Sequence, residues 1–256
     1  MQQLKSTLAI ITGAANGIGK ATHELLKSSG ATTIVCDREL CDEENYIYLD
    51  LSEPQSIANC VQSLPTNIDM IINCAGIAPT GDNNSAVLQI NWFGTKAFTE
   101  AALTKIKPGG SVTTVASRAG ANWRANLVQI TQLLKMSSDE LTNTLDIDSL
   151  TSARIYELSK ELLIVWSMTQ ATTQEKVRFN TVSPSSVETR LTPCFKEAFK
   201  HRKINNNDLR KRTITPEEIA DASRFLANTS SASINGIDLK VDQGISARRI
   251  LAELTQ

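Results

Sequence analysis

A tyrosine and a lysine one helical turn apart are the first residues in this sequence that suggest chemistry. Tyr156 and Lys160 lie in a helix-favouring stretch, and their i, i+4 spacing places both side chains on one face. A free phenol has a pKa of about 10 and is a poor base at neutral pH. A nearby ammonium favours the phenolate and lowers that pKa. The pair could then exchange a proton with an alcohol or a carbonyl oxygen.

A serine strengthens this interpretation, because the tyrosine–lysine spacing alone is common and usually marks a surface contact. Ser117 directly follows an apolar strand-like run at residues 112–116. Ligands of parallel α/β sheets bind at the carboxyl ends of the strands, so a hydroxyl there could hydrogen-bond and orient a substrate oxygen. A serine that only caps a helix or closes a turn is the alternative.

A glycine-rich loop predicts a phosphate site near the N-terminus. Residues 12–19 read Thr-Gly-Ala-Ala-Asn-Gly-Ile-Gly, between an apolar strand and a helix. Glycines let main-chain N–H groups approach a pyrophosphate, and the helix N-terminus adds partial positive charge. The strand before the loop and the helix after it favour a dinucleotide over a plain turn. The predicted contacts are Gly13, Asn16, Gly17, Ile18 and Gly19.

An acidic residue at the end of the second strand indicates which dinucleotide binds. Asp37 could accept both ribose hydroxyls of the adenosine half and would repel a 2′-phosphate, which favours NAD. Its neighbour Arg38 could instead pair with a 2′-phosphate, so NADP stays open.

Strand-like and helix-like stretches alternate along the chain and must position these groups. Strands are predicted at 7–12, 33–36, 46–49, 70–73, 111–116, 177–182 and 237–241. A turn is predicted at 108–110, long helices at 87–103 and 153–172, and capping boxes at Ser52 and Thr215. Mostly apolar strands joined by helices predict an α/β fold, a Rossmann-type doubly wound parallel sheet of about seven strands with helices on both faces.

The whole chain, 1–256, is predicted to form one dinucleotide-binding and catalytic domain with two interruptions. Residues 121–150 contain a helical pattern followed by a polar stretch, which predicts a helical insert. Residues 185–212 are rich in charge and predict a substrate loop.

Composition excludes several partner classes. The net charge is −1, so no basic face for nucleic acid or an anionic membrane is expected. No apolar run is long enough to span a bilayer, and the N-terminus lacks the pattern of a signal peptide. Five cysteines without a Cys-x-x-Cys pair, with two histidines, argue against a metal site and for reduced thiols in the cytoplasm.

Together these motifs resemble the classical short-chain dehydrogenase/reductases over essentially the whole chain. The resemblance rests on the glycine-rich loop, Ser117, the Tyr156/Lys160 pair, and three further motifs. These are Asn73-Cys74-Ala75-Gly76, Asn91, and Val241-Asp242-Gln243-Gly244.

The resemblance implies roles for individual residues. Catalysis would fall to Asn91, Ser117, Tyr156 and Lys160, with Asn91 holding a water in a proton relay through Lys160 and Lys160 also binding the nicotinamide ribose. Further cofactor contacts would be Asp50, Leu51, Asn73, Ala75, Gly76, Pro184, Val187 and Thr189. The chain departs from the family pattern at Cys74, Ser185 and Gln243, where the family usually has Asn, Gly and Gly; Ser185 needs a negative φ to replace that glycine.

The segment between Ser117 and Tyr156 is longer than the family usually has. In this it looks most like a branch that contains bacterial hydroxysteroid dehydrogenase/carbonyl reductases and coniferyl alcohol dehydrogenases. The candidate substrate residues are Ser117, Ala119, Trp123, Tyr156, Ser186, Leu191 and Phe195. Trp123 is either a wall of the pocket or a core anchor for the insert. The family usually forms dimers and tetramers, so a homodimer or homotetramer is expected.

The resulting expectation is an NAD-dependent enzyme that transfers a hydride between the nicotinamide and a small secondary, cyclic or aryl alcohol/carbonyl substrate. Two alternatives remain. One is an NADPH-dependent ketoreductase of the 3-oxoacyl type, and the other is a non-catalytic NAD-binding redox sensor.

Overall fold

The computed structural model describes residues 4–147, 149–201 and 212–253. A seven-stranded sheet with the order β3-β2-β1-β4-β5-β6-β7 forms its centre, and every neighbouring pair of strands is parallel. This confirms the predicted doubly wound α/β architecture. The strands are β1 Leu8–Thr12, β2 Thr32–Asp37, β3 Tyr46–Tyr48, β4 Ile68–Asn73, β5 Ile106–Val115, β6 Val177–Pro184 and β7 Asp238–Val241.

Helices cover both faces of this sheet. One face carries α1 and α9, and the other carries α2, α4 and α7. The helices are α1 Gly17–Ser28, α2 Pro54–Ser63, α3 Asn84–Leu88, α4 Thr95–Ala102, α5 Leu127–Leu133, α6 Ser138–Thr144, α7 Ser152–Thr173, α8 Thr192–Ala198, α9 Pro216–Ala227 and α10 Ile245–Glu253.

Alternation along the central strands divides the core between the two faces. Ile10 and Ile71 belong to the large cluster on the α2, α4 and α7 side. Their neighbours Ile11 and Ile72 belong to the cluster on the α1 side. All four side chains are fully buried, which is why these strands read as continuous apolar runs.

The helix predicted at 87–103 is interrupted. A π-helical turn, Gln89–Gly94, separates α3 from α4. Such turns insert one residue into a helix and are frequent at functional sites. Gly94 belongs to this turn, and a Cβ there would lie 2.1 Å from the Leu51 carbonyl oxygen. Periodicity alone did not reveal this interruption.

Two predicted local motifs are wrong and one is confirmed. Ser52 does not cap α2, because its N–H and hydroxyl both donate to the Asp50 carboxylate, at 2.8 and 2.6 Å. The turn predicted at 108–110 lies inside β5. At the start of α9 the capping box is present, and the Thr215 N–H donates to the Glu218 carboxylate at 3.0 Å.

The insert folds against the helix that carries Tyr156 and Lys160. A short 3₁₀ helix, Arg118–Arg124, leads into α5 and α6, and the 3₁₀ helix and α5 both pack on α7. As a result α7 is buried on every side from Ile155 to Ser167. The predicted substrate loop contains α8, while its part at 202–211 lies outside the described residues.

Candidate functional site

A cavity of about 590 Å³ opens at the carboxyl ends of the strands. Of the predicted cofactor residues, the cavity is lined by Gly13, Asn16, Gly17, Ile18, Gly19, Asp37, Arg38, Asp50, Leu51, Ala75, Gly76, Tyr156, Lys160, Pro184, Val187 and Thr189. Residues widely separated in sequence thus share one wall, as expected for a ligand site in this type of sheet.

The phosphate loop is shaped by close main-chain contacts. Gly13 has a φ of +68°, and a Cβ there would lie 2.6 Å from the Cα of Ala75. A Cβ on Gly19 would lie 2.1 Å from the Gly13 carbonyl oxygen. The start of α1 can therefore approach the end of β1 only because residue 19 has no side chain. Asn16 precedes α1 without capping it, and the first turn of α1 carries no acidic residue. The helix N-terminus therefore suits an anion such as a pyrophosphate.

Carboxylates occupy the end of the cavity next to β2. One oxygen of Asp37 accepts the N–H of Ala15 at 2.9 Å, and the other accepts the N–H of Glu39 at 2.9 Å. Glu39 in turn forms a bidentate pair with Arg190 and accepts from the Asn16 side chain at 2.9 Å. The sequence analysis missed both Glu39 and Arg190, because a link between residues so far apart in the chain leaves no local signal.

The predicted reactive groups meet at the opposite end of the cavity. The Tyr156 hydroxyl lies beside Ser117, and both residues line the cavity. Ser117 also caps the 3₁₀ helix of the insert, since its hydroxyl accepts the Ala119 N–H at 3.1 Å. The Lys160 ammonium lies 5.6 Å from the centre of the Tyr156 ring. Proton exchange at the Tyr156 oxygen is therefore geometrically available to a ligand beside Ser117.

Burial dominates the electrostatics of this pair. It raises the pKa of the Tyr156 phenol above its ordinary value, and the nearby Ser117 hydroxyl opposes that rise. Burial also lowers the pKa of Lys160 to about 8. Lys160 does not offset the effect of burial on the phenol, and its ammonium donates to the Val115 carbonyl oxygen at 3.2 Å.

Two predicted residues lie behind the cavity wall. Asn91 is buried in the π-helical turn, where its side chain binds the main chain of Ile77. Asn73 is buried as well and donates to the Thr99 and Thr114 hydroxyls at 3.0 and 3.2 Å. Asn73 therefore joins β4 to α4 and β5, and a direct cofactor contact of its side chain is not supported.

Aromatic rings line the cavity next to Tyr156. The Phe195 ring lies 5.0 Å from the Tyr156 ring at an interplanar angle of 62°, and the Phe199 ring lies at 6.3 Å. Of the other predicted substrate residues, the cavity is also lined by Ala119, Ser186 and Leu191. Trp123 is not among its lining residues and packs against the core with Arg124 over its ring, so it serves as the anchor of the insert.

Several lining residues escaped the sequence analysis. Phe199 repeats the four-residue spacing of Leu191 and Phe195, a signal that could have revealed it. The others carried no local signal. These residues are Leu49, Ile77, Ile90, Arg118, Thr192, Lys196 and Lys200.

The departures from the family pattern are accommodated. Ser185 is not among the residues with a positive φ, as its replacement of a glycine requires. Gln243 does adopt a φ of +56°, and its side-chain amide donates to the Arg212 carbonyl oxygen at 3.2 Å. Within the described ranges no group of three or more histidine, cysteine or acidic side chains could hold a metal ion. No helix of the same ranges is long and apolar enough to cross a membrane.

Comparison with known proteins agrees with this geometry. Residues 7–129 match the family model described as short chain dehydrogenase, and residues 140–246 match one described as enoyl-(acyl carrier protein) reductase. The chain belongs to the short-chain dehydrogenase/reductase family of oxidoreductases.

Individual relatives cover nearly the whole chain. A coniferyl-alcohol dehydrogenase of Pseudomonas sp. (strain HR199 / DSM 7063) is 33% identical over 252 residues, covering 96% of this chain and 98% of the relative. A 3-alpha-hydroxysteroid dehydrogenase/carbonyl reductase of Comamonas testosteroni is 24% identical, covering 94% and 97%. The crystal structure of the 3-alpha-hydroxysteroid dehydrogenase from Pseudomonas sp. B-0831 complexed with NADH superimposes with a TM-score of 0.77 at 28% identity, covering 95% and 98%.

Proposed function

We propose that this protein is an NAD-dependent dehydrogenase that interconverts a secondary, cyclic or aryl alcohol and its carbonyl compound. The observation that carries the proposal is that Ser117, Tyr156 and Lys160 line the same cavity as the phosphate loop and Asp37. A proton-transfer group and a dinucleotide-sized groove then share one chamber, as hydride transfer between two bound molecules requires.

Each residue of the site has its own role in the proposed reaction. NAD, when bound in its oxidised form, would supply the hydride acceptor and a positive charge at the nicotinamide ring. The Tyr156 oxygen takes the hydroxyl proton of the alcohol, and the Ser117 hydroxyl orients the substrate oxygen. Lys160 binds the nicotinamide ribose and, with the positive ring nearby, favours the phenolate that burial otherwise disfavours. Asn91 binds the main chain of Ile77 and thereby fixes the part of the cavity wall that lies next to Lys160.

The acidic end of the cavity supports NAD over NADP. Asp37 and Glu39 place two carboxylates at the edge of β2, where a 2′-phosphate would be repelled. Glu39 is also paired with Arg190, whereas Arg38 forms no ion pair with any residue in the described ranges. Arg38 lines the cavity and favours the alternative, an NADPH-dependent ketoreductase.

The substrate class rests on the aromatic wall. Phe195 and Phe199 flank Tyr156 and suit a flat, apolar ring bearing the reacting carbon. The two relatives named for coniferyl alcohol and for a 3-alpha-hydroxysteroid act on alcohols attached to such frameworks. We extend this preference to the present chain.

We further propose a cytoplasmic homodimer. The five cysteines are all free, which suits a reducing compartment. The insert covers α7, so the subunits would associate through other surfaces than this helix. Light scattering at micromolar concentration should give twice the monomer mass, and a monomer mass would contradict the proposal.

A single screen tests the function. Reduction of NAD and of NADP is followed with a panel of benzylic, cinnamyl, steroid and aliphatic alcohols, with Tyr156→Phe as the matched inactive variant. We expect NAD reduction with at least one cyclic or aryl alcohol that Tyr156→Phe lacks. A protein that binds NADH but oxidises nothing in the panel would instead be the non-catalytic redox sensor.

A further inference from the structure

Negative charge is confined to one half of the cavity. The three carboxylates among its described lining residues, Asp37, Glu39 and Asp50, all lie in the half built by β1, β2 and β3. The half built after β5, by the insert, α7, β6 and α8, has only cationic charged groups among its described lining residues. These are Arg118, Lys160, Arg190, Lys196 and Lys200.

Three of these cations already have partners. Arg190 is paired with Glu39, Lys200 with Glu197, and Lys160 donates to the Val115 carbonyl oxygen. Arg118 and Lys196 make no ion pair with any residue in the described ranges. The Nε of Arg118 is moreover fully buried and has no hydrogen-bond partner there. A buried donor without a partner is costly, so the protein leaves the Arg118 guanidinium unsatisfied at the wall of a cavity where a ligand could supply an acceptor.

Both cations lie close to the reacting groups. Arg118 directly follows Ser117 at the start of the insert. Lys196 directly follows Phe195, whose ring contacts that of Tyr156. Along α8 and the residues at its two ends, the apolar row of Leu191, Phe195 and Phe199 runs beside the cationic row of Lys196 and Lys200, and both rows line the cavity.

We propose that the substrate carries a carboxylate on the part of the molecule away from its hydroxyl, and that Arg118, assisted by Lys196, binds this carboxylate. The inference rests on the proposed function and makes Arg118 a specificity-determining residue. A guanidinium suits this role because its planar donors match a carboxylate in a bidentate pair.

The cofactor phosphates are a poorer match for Arg118. They are expected at the glycine-rich loop and the N-terminus of α1, which follow β1. Arg118 follows β5, which is separated from β1 by β4 in the sheet. The carboxylate takes no part in the reaction: the carbinol C–H bond yields its hydride to the nicotinamide, the O–H proton passes to Tyr156, and the product is the carbonyl carboxylate.

Two probe alcohols of similar shape, one with a carboxylate and one without, isolate the effect of the negative charge on turnover. 4-(Hydroxymethyl)benzoate and 4-methylbenzyl alcohol present the same benzylic alcohol with and without a carboxylate. We expect the wild-type kcat/KM to be at least tenfold higher for the carboxylate. In Arg118→Met the ratio of the two kcat/KM values should fall about tenfold or more, and in Lys196→Met by a smaller factor. Arg124→Met, which removes a cation of the same 3₁₀ helix outside the cavity, should leave the ratio unchanged.

The other outcomes are equally decisive. A wild-type ratio near one, or a ratio that Arg118→Met leaves unchanged, overturns the inference. So does a rise in the NADH dissociation constant of Arg118→Met as large as its loss on the carboxylate probe, since the cation would then serve the cofactor phosphates. If neutral alcohols are oxidised and the carboxylate is not, only this inference fails. If no alcohol is oxidised, the proposed function fails with it.

Discussion

The side chain of Asn91 binds both main-chain groups of Ile77. Its amide oxygen accepts the Ile77 N–H at 2.8 Å, and its amide nitrogen donates to the Ile77 carbonyl oxygen at 3.0 Å. Asn91 is 1% exposed, so no water can replace these bonds. The π-helical turn that carries Asn91 thereby fixes the segment after β4, including Gly76, along the cavity wall.

Asn91→Ala should destabilise the protein by about 2 kcal/mol or more, because two buried main-chain groups lose their partners. Urea unfolding measures this free energy, and turnover should fall in parallel. The control is Asn59→Ala, which removes an exposed amide from α2 and should change the unfolding free energy by less than about 0.5 kcal/mol. Equal effects of the two variants would contradict the assigned role of Asn91.

Tyr156→Phe should lower turnover by about 10²–10⁴, the usual contribution of a positioned acid/base. The phenylalanine retains the ring that packs against Phe195, so the melting temperature and the NADH dissociation constant should stay close to those of the wild type. Steady-state kinetics and fluorescence titration measure these quantities. Tyr48→Phe, at a half-exposed tyrosine of β3, serves as the control. A loss of less than threefold in Tyr156→Phe would exclude proton transfer by this phenol.

Lys160 makes stability depend on pH in the alkaline range. Its pKa is about 8 in the folded protein against 10.5 for the ordinary side chain, so the unfolded chain binds more protons between these values. Stability therefore rises as pH increases through this window, by up to about 3 kcal/mol at about 1.4 kcal/mol per unit. Below pH 8 the buried Lys160 ammonium destabilises the folded protein by this full amount.

Replacement of this lysine should remove that dependence. Lys160→Met should melt above the wild type at pH 7 by several degrees, and the difference should shrink as the pH is raised to 10. Thermal melts across this range provide the test. Lys20→Met, at an exposed position of α1, should follow the wild-type pH dependence. A constant difference between Lys160→Met and the wild type would show that burial does not disfavour this ammonium.

Asp37→Ala should weaken NADH binding by about tenfold and NADPH binding less, since the lost carboxylate would serve the ribose hydroxyls and repel a 2′-phosphate. Asp37→Asn, which keeps an oxygen for the N–H groups of Ala15 or Glu39, separates the structural role from the charge. Dissociation constants from fluorescence decide the order. A larger loss for NADPH would mean that Arg38 governs the choice of cofactor.

Two glycines with similar backbone angles separate strain from steric clash. Gly13 and Gly109 have φ of +68° and +84°, so alanine costs about 1–2 kcal/mol of backbone strain at either position. Only at Gly13 does the new Cβ also meet the Ala75 main chain, whereas at Gly109 nothing lies within 4 Å. Gly13→Ala should therefore lose several kcal/mol more than Gly109→Ala and lose NADH binding, as urea unfolding and fluorescence titration would show. Equal stability losses would refute the close packing at the phosphate loop.

Local sequence determined the sheet, the phosphate loop and the reactive pair. Strand runs such as that of Ile10 and Ile11 are apolar because both faces are covered, and this pattern is readable along the chain. Tyr156 and Lys160 share a helix face by their spacing alone. The glycines around Asn16 are required by the positive φ of Gly13 and Gly17 and by the contact between Gly19 and Gly13, so their types already indicate the turn.

The tertiary structure alone decided what surrounds these groups. Packing between distant segments brings Glu39 into contact with Arg190, places Arg118 in the cavity and leaves Trp123 outside it. No periodicity in the sequence encodes such packing. The pKa of Tyr156 was misjudged for the same reason, because desolvation depends on everything that covers the phenol. Spacing along a helix indicates which side chains could exchange a proton, but burial determines how readily each of them holds its charge.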